Sequence, residues 1–387
     1  MFTRAYRTTI AGTALIASAL LITACAGEET ISSNQGELRD GVLIVDEAMM
    51  EGAAVSADSL SFPARNGQWL GGVRVGDVLV SGVDNGYLRR IVAVDDQGEQ
   101  MVFTTEPAQL DEALASATLS ETIYSDTNQE GFIAGRPGDF GIDIDLSGTE
   151  LYAQNGLRVT LSEGTLVFKP TLDVDLDVGV FSGVDFELIA SGELDARFVL
   201  EATAEQNLDE SVQFRQTLFT SPTIRIPLQV GPLPLTLAVT SYVDGNFAIT
   251  AGVSGRAEAG ADLDSGVTAG FRYDGQFNLI GDSELSLEPV GPSYAVEGTL
   301  SARASLAPRL EVLILDSAGP TLGVEGYAQV AAAANAGSGG TPSADCELTV
   351  GLRGDIGGKL TIINMIDLAE LDYELFDSKQ AYDCLPL

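Results

Sequence analysis

From Leu38 onward the chain is a succession of short apolar runs broken by turn residues: Gly41 to Val45, Gln68 to Val75, Asp77 to Ser81, Tyr87 to Val94 and Gln100 to Thr105. Runs of this length, rich in Val, Ile and Leu, predict strands. Asp84-Asn85-Gly86 falls between two of them, and its residues tolerate the positive φ of a type I′ hairpin turn. Pro107 to Ala115 (PAQLDEALA) predicts one short helix, with Pro in its first turn and good helix formers behind it. A polar, Gly-bearing stretch from Ser125 to Gly138 then separates this module from the rest.

Beyond it the pattern is strict alternation. Leu172-Asp173-Val174-Asp175-Leu176-Asp177-Val178 places apolar side chains on one face and carboxylates on the other, the mark of a half-buried strand. The same alternation recurs at Leu157 to Leu161, Thr223 to Leu228, Leu235 to Tyr242, Val267 to Tyr273, Ala295 to Ala302 and Leu310 to Leu315. Asp244-Gly245, Asp274-Gly275 and Asp262 to Gly266 predict turns, and the small residues of 331–345 an exposed loop. On the order of fifteen to twenty strands fit at ordinary lengths. The fold class is therefore all-β: a small module over 37–124, a linker over 125–140, and a large antiparallel β-sandwich or elongated β-domain over 141–387. An outer-membrane barrel also alternates, but carboxylates and Gly at so many outward positions, without aromatic girdles, argue against it.

Charge narrows the function. Twenty Lys plus Arg stand against 56 Asp plus Glu, a surface that repels phosphate backbones, so nucleic acid is not an expected partner. The chain contains no His, which removes His-based triads, Cys-His dyads and His metal ligands together. The acids are spread along the chain, as in adaptation to a salty milieu; binding of cationic ligands is the alternative.

At the N-terminus, Arg4 and Arg7 precede an apolar run from Ile10 to Leu21 that is short for a membrane span. It closes on Leu21-Ile22-Thr23-Ala24-Cys25, which resembles the lipobox of bacterial lipoproteins. The resemblance implies cleavage of a signal peptide (1–24), acylation of Cys25 and a polar tether over 25–36. Ala26 after the Cys resembles an outer-membrane sorting signal. The expected partner is thus the membrane, through the Cys25 lipid. Loss of 1–24 leaves 18 cations against the 56 acids, a net of −38. The other two cysteines, Cys346 and Cys384, flank the final segment, and in an oxidising compartment they suggest a structural disulfide.

Candidate chemistry is sparse. Asp173, Asp175 and Asp177 lie on alternate strand positions about 6.5 to 7 Å apart and cannot share one ion; Asp143 and Asp145 fail likewise. Asp262 and Asp264, read as turn residues, are the candidate calcium ligands, although the extended ligand series of an EF-hand is missing. Paired carboxylates could hydrolyse glycosides without His, but one Trp, Trp69, and ten Tyr are few platforms for sugar. The three lysines, Lys169, Lys359 and Lys379, lack a Ser three residues earlier, and GxSxG, Walker and GxGxxG patterns are absent. Val75 to Val80 (VGDVLV) resembles a strand of Hint-type self-splicing modules; the nucleophile and His of that activity are missing, so the resemblance implies β structure alone. The expectation is a lipid-anchored envelope protein with a non-catalytic binding or structural role, with an envelope component or polysaccharide as its candidate ligand. The alternatives are a carboxylate-dependent polysaccharide-active enzyme and a carrier of hydrophobic ligands.

Overall fold

The computed structural model describes residues 35–387, apart from 85, 126–139, 155, 180–182, 205–210, 252–254, 297–298, 316–318, 336–342, 359–360, 363–365, 368–370 and 384–387. The fold is all-β, with three principal sheets. After β1 (Gln35–Leu38), the strands β2 (Val42–Ile44), β3 (Ala54–Val55), β4 (Ser59–Pro63), β5 (Val78–Ser81), β6 (Tyr87–Asp96) and β7 (Gln100–Pro107) form a six-stranded sheet in the order β2-β5-β6-β7-β4-β3. Its apolar face gathers Leu60, Phe62, Leu79, Ile91 and Phe103. The expected hairpin joins β5 to β6, with Asp84 at φ 55° and Gly86 at φ 67°; Asn85 lies outside the described residues.

A single-turn helix, α1 (Leu110–Ala113), leads into β8 (Leu114–Tyr124). The second sheet continues with β9 (Ile142–Asp145), β10 (Thr149–Gln154), β11 (Leu157–Phe168), β12 (Thr171–Gly179) and β13 (Gly183–Ala204). The third contains β14 (Ser211–Thr220), β15 (Ile224–Val230) and β16 (Leu233–Ala251). Then β17 (Gly255–Tyr273) and β18 (Phe277–Val296) return to the second sheet, while β19 (Thr299–Ile314), β20 (Thr321–Asn335), β21 (Ser343–Gly358) and β24 (Leu371–Asp383) complete the third. Two short strands, β22 (Thr361–Ile362) and β23 (Ile366–Asp367), pair with each other.

The 22-residue β13 organises the nine-stranded sheet. Its first half pairs with β12 and its second with β11, while β17 runs along its other edge. The β11–β12 link crosses at Gly192, where a Cβ would stand 2.9 Å from the Lys169 carbonyl oxygen, so only glycine fits. The seven-stranded sheet, β14-β16-β19-β20-β21-β24 with β15 on β16, packs against it face to face.

Alternation explains the packing. On β12, Leu172, Val174, Leu176 and Val178 are buried and the aspartates between them point away. One cluster joins Leu176, Phe186 and Phe271 of the nine-stranded sheet to Leu237, Val239 and Val312 of the seven-stranded one, and takes in Val78 and Val80 of β5, so the small sheet shares this core. A second joins Leu161, Phe198 and Leu263 to Val243, Phe247 and Val350. Between Val239 and Val243, the fully buried Ser241 donates to the Phe140 carbonyl at 2.5 Å. Apolar residues inward and carboxylates outward are the reverse of a lipid-facing barrel.

Several local expectations are corrected. Gln68 to Val75 is not a strand: Gln68–Gly72 is a 3-10 turn, held where the Trp69 ring meets Phe62 edge-on at 5.2 Å. The helix is shorter than Pro107 to Ala115, because Arg39 donates to the carbonyls of Asp111 and Leu114 and the chain then extends into β8. Asp244-Gly245 lies inside β16 and Asp262 to Gly266 inside β17. The alanines of 331–335 are strand, since β19 and β21 supply ladder partners that overcome their weak β preference. The linker over 125–140 falls largely outside the described residues, but the sheets divide the chain earlier: β1 and β8 belong to the nine-stranded sheet.

The expected Cys346–Cys384 disulfide is cut back to its described end: among the described residues no disulfide joins two cysteines, Cys346, opposite Ala332, is disulfide-bonded, and Cys384 lies outside the described residues.

Candidate functional site

The outer face of the seven-stranded sheet carries the most organised polar cluster. Strand alternation puts Tyr242 and Asp244 of β16 on the face opposite Val243, and cross-strand pairing sets Thr217 beside Asp244 and Arg309 beside Tyr242. Asp244 is 1% exposed. Its Oδ2 accepts from Arg215 Nη2 at 2.6 Å and lies 2.7 Å from Arg309 Nη2, while Oδ1 accepts from Thr217 Oγ1 at 2.8 Å. Burial alone pushes this carboxyl up, but the hydrogen bonds from Arg215 and Thr217 and the charges of Arg309 and Arg215 outweigh it and hold it below the usual carboxylate range. The Arg309 guanidinium lies 5.4 Å from the Tyr242 ring centre, and the Tyr242 hydroxyl donates to Glu311 at 3.0 Å.

A second cluster lies on β19, β20, β21 and β24. Glu325, buried, lies 2.9 Å from Arg353 and 3.6 Å from Arg303. The Arg303 guanidinium sits 4.0 Å above the Tyr327 ring, whose hydroxyl donates to Asp377 at 2.9 Å. Burial, then the bond to Asp377, raises the Tyr327 hydroxyl to about 12, so it stays a donor at neutral pH. The Asp244 carboxylate and the Tyr327 hydroxyl are thus held away from neutrality in opposite directions, which suits structure or recognition rather than proton transfer.

The residues singled out in the sequence are distributed differently. Asp175, Asp177, Asp185 and Glu187, with Arg272, line an open depression of about 440 Å³ on the outer face of the nine-stranded sheet. Another, of about 760 Å³, is lined by Asp46, Glu47, Glu51, Asp84 and Met50. Asp262 and Asp264 are strand neighbours, not turn residues; Asp262 accepts from Arg197 at 2.8 Å, and Asp264 stands opposite Asp195. Among the described residues no group of three or more acids or cysteines is gathered to hold a metal ion. Cys25 lies outside the described residues.

Facing carboxylates repel across a ladder. Asp264→Asn is therefore expected to raise the denaturation midpoint at low ionic strength, with the gain disappearing near 1 M salt, where charges are screened over about 3 Å. An equal gain at both salt concentrations would show that repulsion from Asp195 is not the cause.

Sequence reasoning missed both arginine clusters. The visible signal was an Arg or acid interrupting an apolar alternation, as at Asp244, Arg309 and Glu325; their partners come from other strands. Comparison with protein-family models, with curated proteins and with solved structures finds no match.

Proposed function

We propose that the chain is an envelope protein held at the outer membrane by a lipid on Cys25, and that its β body binds or braces rather than catalyses. The observation that carries the second part is the pairing of the buried carboxylates: Asp244 and Glu325 are each held by two arginines, and Asp244 is kept below the usual carboxylate range by its arginines and Thr217. At Gly326 the two sheets close on each other, because Leu263 fills the notch where a Cβ would stand 2.5 Å from its Cδ1, and a carrier's cavity would have to avoid this point. For the anchor, the support is the Leu21 to Cys25 motif, followed in the sequence by the mostly polar residues 26–34 ahead of β1. The ligand class this reading favours is an envelope component or polysaccharide met by the broad outer faces.

The test has two arms. A radioactive fatty acid supplied to expressing bacteria should label the wild type and not Cys25→Ala; equal labelling removes the anchor. The mature protein, mixed with a panel of envelope polysaccharides, should be retained without releasing reducing ends. Steady release that is abolished by replacing a single acid would favour the hydrolase instead.

A further inference from the structure

We infer that Tyr327 seated on Gly351, with the Arg303, Glu325 and Arg353 cluster around it, is a register lock for the long strands of the seven-stranded sheet. β20 and β21 are 15 and 16 residues long. Leu322, Val324, Ala328 and Val330 face the core on one, and Leu348, Val350, Leu352 and Ile356 on the other. Side chains alternate with period two, so sliding β20 by two residues along β21 returns every one of these to the core. The apolar pattern by itself leaves the register nearly degenerate, although on the core face the notch at Gly326, filled by Leu263, also opposes a slip.

The outer face removes the degeneracy. Tyr327 pairs with Gly351 in the ladder, and a Cβ at position 351 would stand 2.5 Å from Tyr327 Cζ. The ring lies across β21 through this gap, and its hydroxyl reaches Asp377 on β24. A slip of two residues puts either Arg353 or Thr349 in place of the glycine. In the first case Glu325, which now faces Arg353, faces Asp355; in the second it faces Gly351. Either way a buried carboxylate loses its direct partner, and removing one member of a buried pair costs far more than the intact pair contributes. Arg303 extends the lock to β19, since it stacks on the ring and ends on Glu325. The Nε of Arg353 is buried without a hydrogen-bond partner, so the cluster is not optimised for stability. Specifying one pairing is the role that fits this cost.

The test is cysteine crosslinking in the full chain, with peptides mapped by mass spectrometry. Gln329→Cys with Thr349→Cys reports the native register, because these residues pair. Ala331→Cys with Thr349→Cys reports a slip one way, and Thr321→Cys with Asp355→Cys a slip the other way. In the parent only the native pair should close. In a background of Glu325→Leu, Tyr327→Val and Arg353→Leu, which replaces the lock by strand-compatible apolar groups, closure of a slipped pair should rise at least tenfold. Native-only closure in a folded triple variant overturns the proposal. If the triple variant does not fold, Tyr327→Val alone is read in the same way. Failure of both to fold also overturns it, because the cluster would then be a source of stability and not of register.

Discussion

Asp244→Ala is expected to destabilise the protein by about 3 kcal/mol, at the low end for breaking a buried ion pair because one partner is solvated. Arg215 is 62% exposed and can return to water, but Arg309 is 26% exposed and would keep a guanidinium against the sheet without its carboxylate. Thr217 would lose its acceptor as well. Urea denaturation at neutral pH measures the loss; a change under 1 kcal/mol would mean that water replaces the carboxylate freely. The pH dependence has a defined sign. Because folding lowers the Asp244 carboxyl, its contribution is complete above the unfolded value of about 3.9 and is lost as pH falls through the lower folded value. Asp244→Asn should therefore flatten the stability profile below about pH 4. An unchanged acid limb would place that linkage elsewhere.

The second large effect sets two glycines of β17 against a third. At Gly270 a Cβ would lie 2.3 Å from the Leu188 carbonyl oxygen, and at Gly260 it would lie 2.2 Å from that of Phe198. Both contacts are with the backbone of β13, which cannot move aside without disturbing its pairing with β11 or β12. Each Gly→Ala change should cost about 3 kcal/mol, the upper range for forcing atoms into a packed interior. Gly266 lies on the same strand, and the nearest atom to its added Cβ is the Glu284 Cβ at 3.9 Å. There Ala removes chain entropy from the unfolded state without a clash and should stabilise by about 0.5 kcal/mol. Equal effects at Gly260, Gly266 and Gly270, measured by urea titration, would show that strand propensity and not close approach governs these sites.

The same strand shows the reach of sequence reading. Val267 to Tyr273 was legible as a strand, yet Asp262 to Gly266 read as a turn because Asp, Ser and Gly favour turns when no partner is known. In the fold, β13 and β18 flank that stretch on both sides, and two ladders of hydrogen bonds outweigh the local preference. Asp244-Gly245 was misread for the same reason: β14 and β19 hold it in an extended conformation. The calcium reading of Asp262 and Asp264 depended on the turn, and with the turn absent Asp262 serves Arg197. The candidate face was legible only as fragments, since Arg215, Asp244 and Arg309 are separated along the chain.

The sequence by itself determined the all-β class, the inward and outward faces of strands such as β12, and the hairpin between β5 and β6. These follow from the two-residue period of an extended chain and from the φ range of Gly, both local properties. Tertiary structure alone decided which strands pair. It assigned β1 and β8 to the larger sheet, turned two apparent turns into strand interiors, and brought pairs of arginines onto Asp244 and Glu325. Partner and register are non-local: an alternating strand presents the same apolar face to many neighbours, and only side chains fitting across the ladder, such as Tyr327 over Gly351, distinguish one pairing from the next.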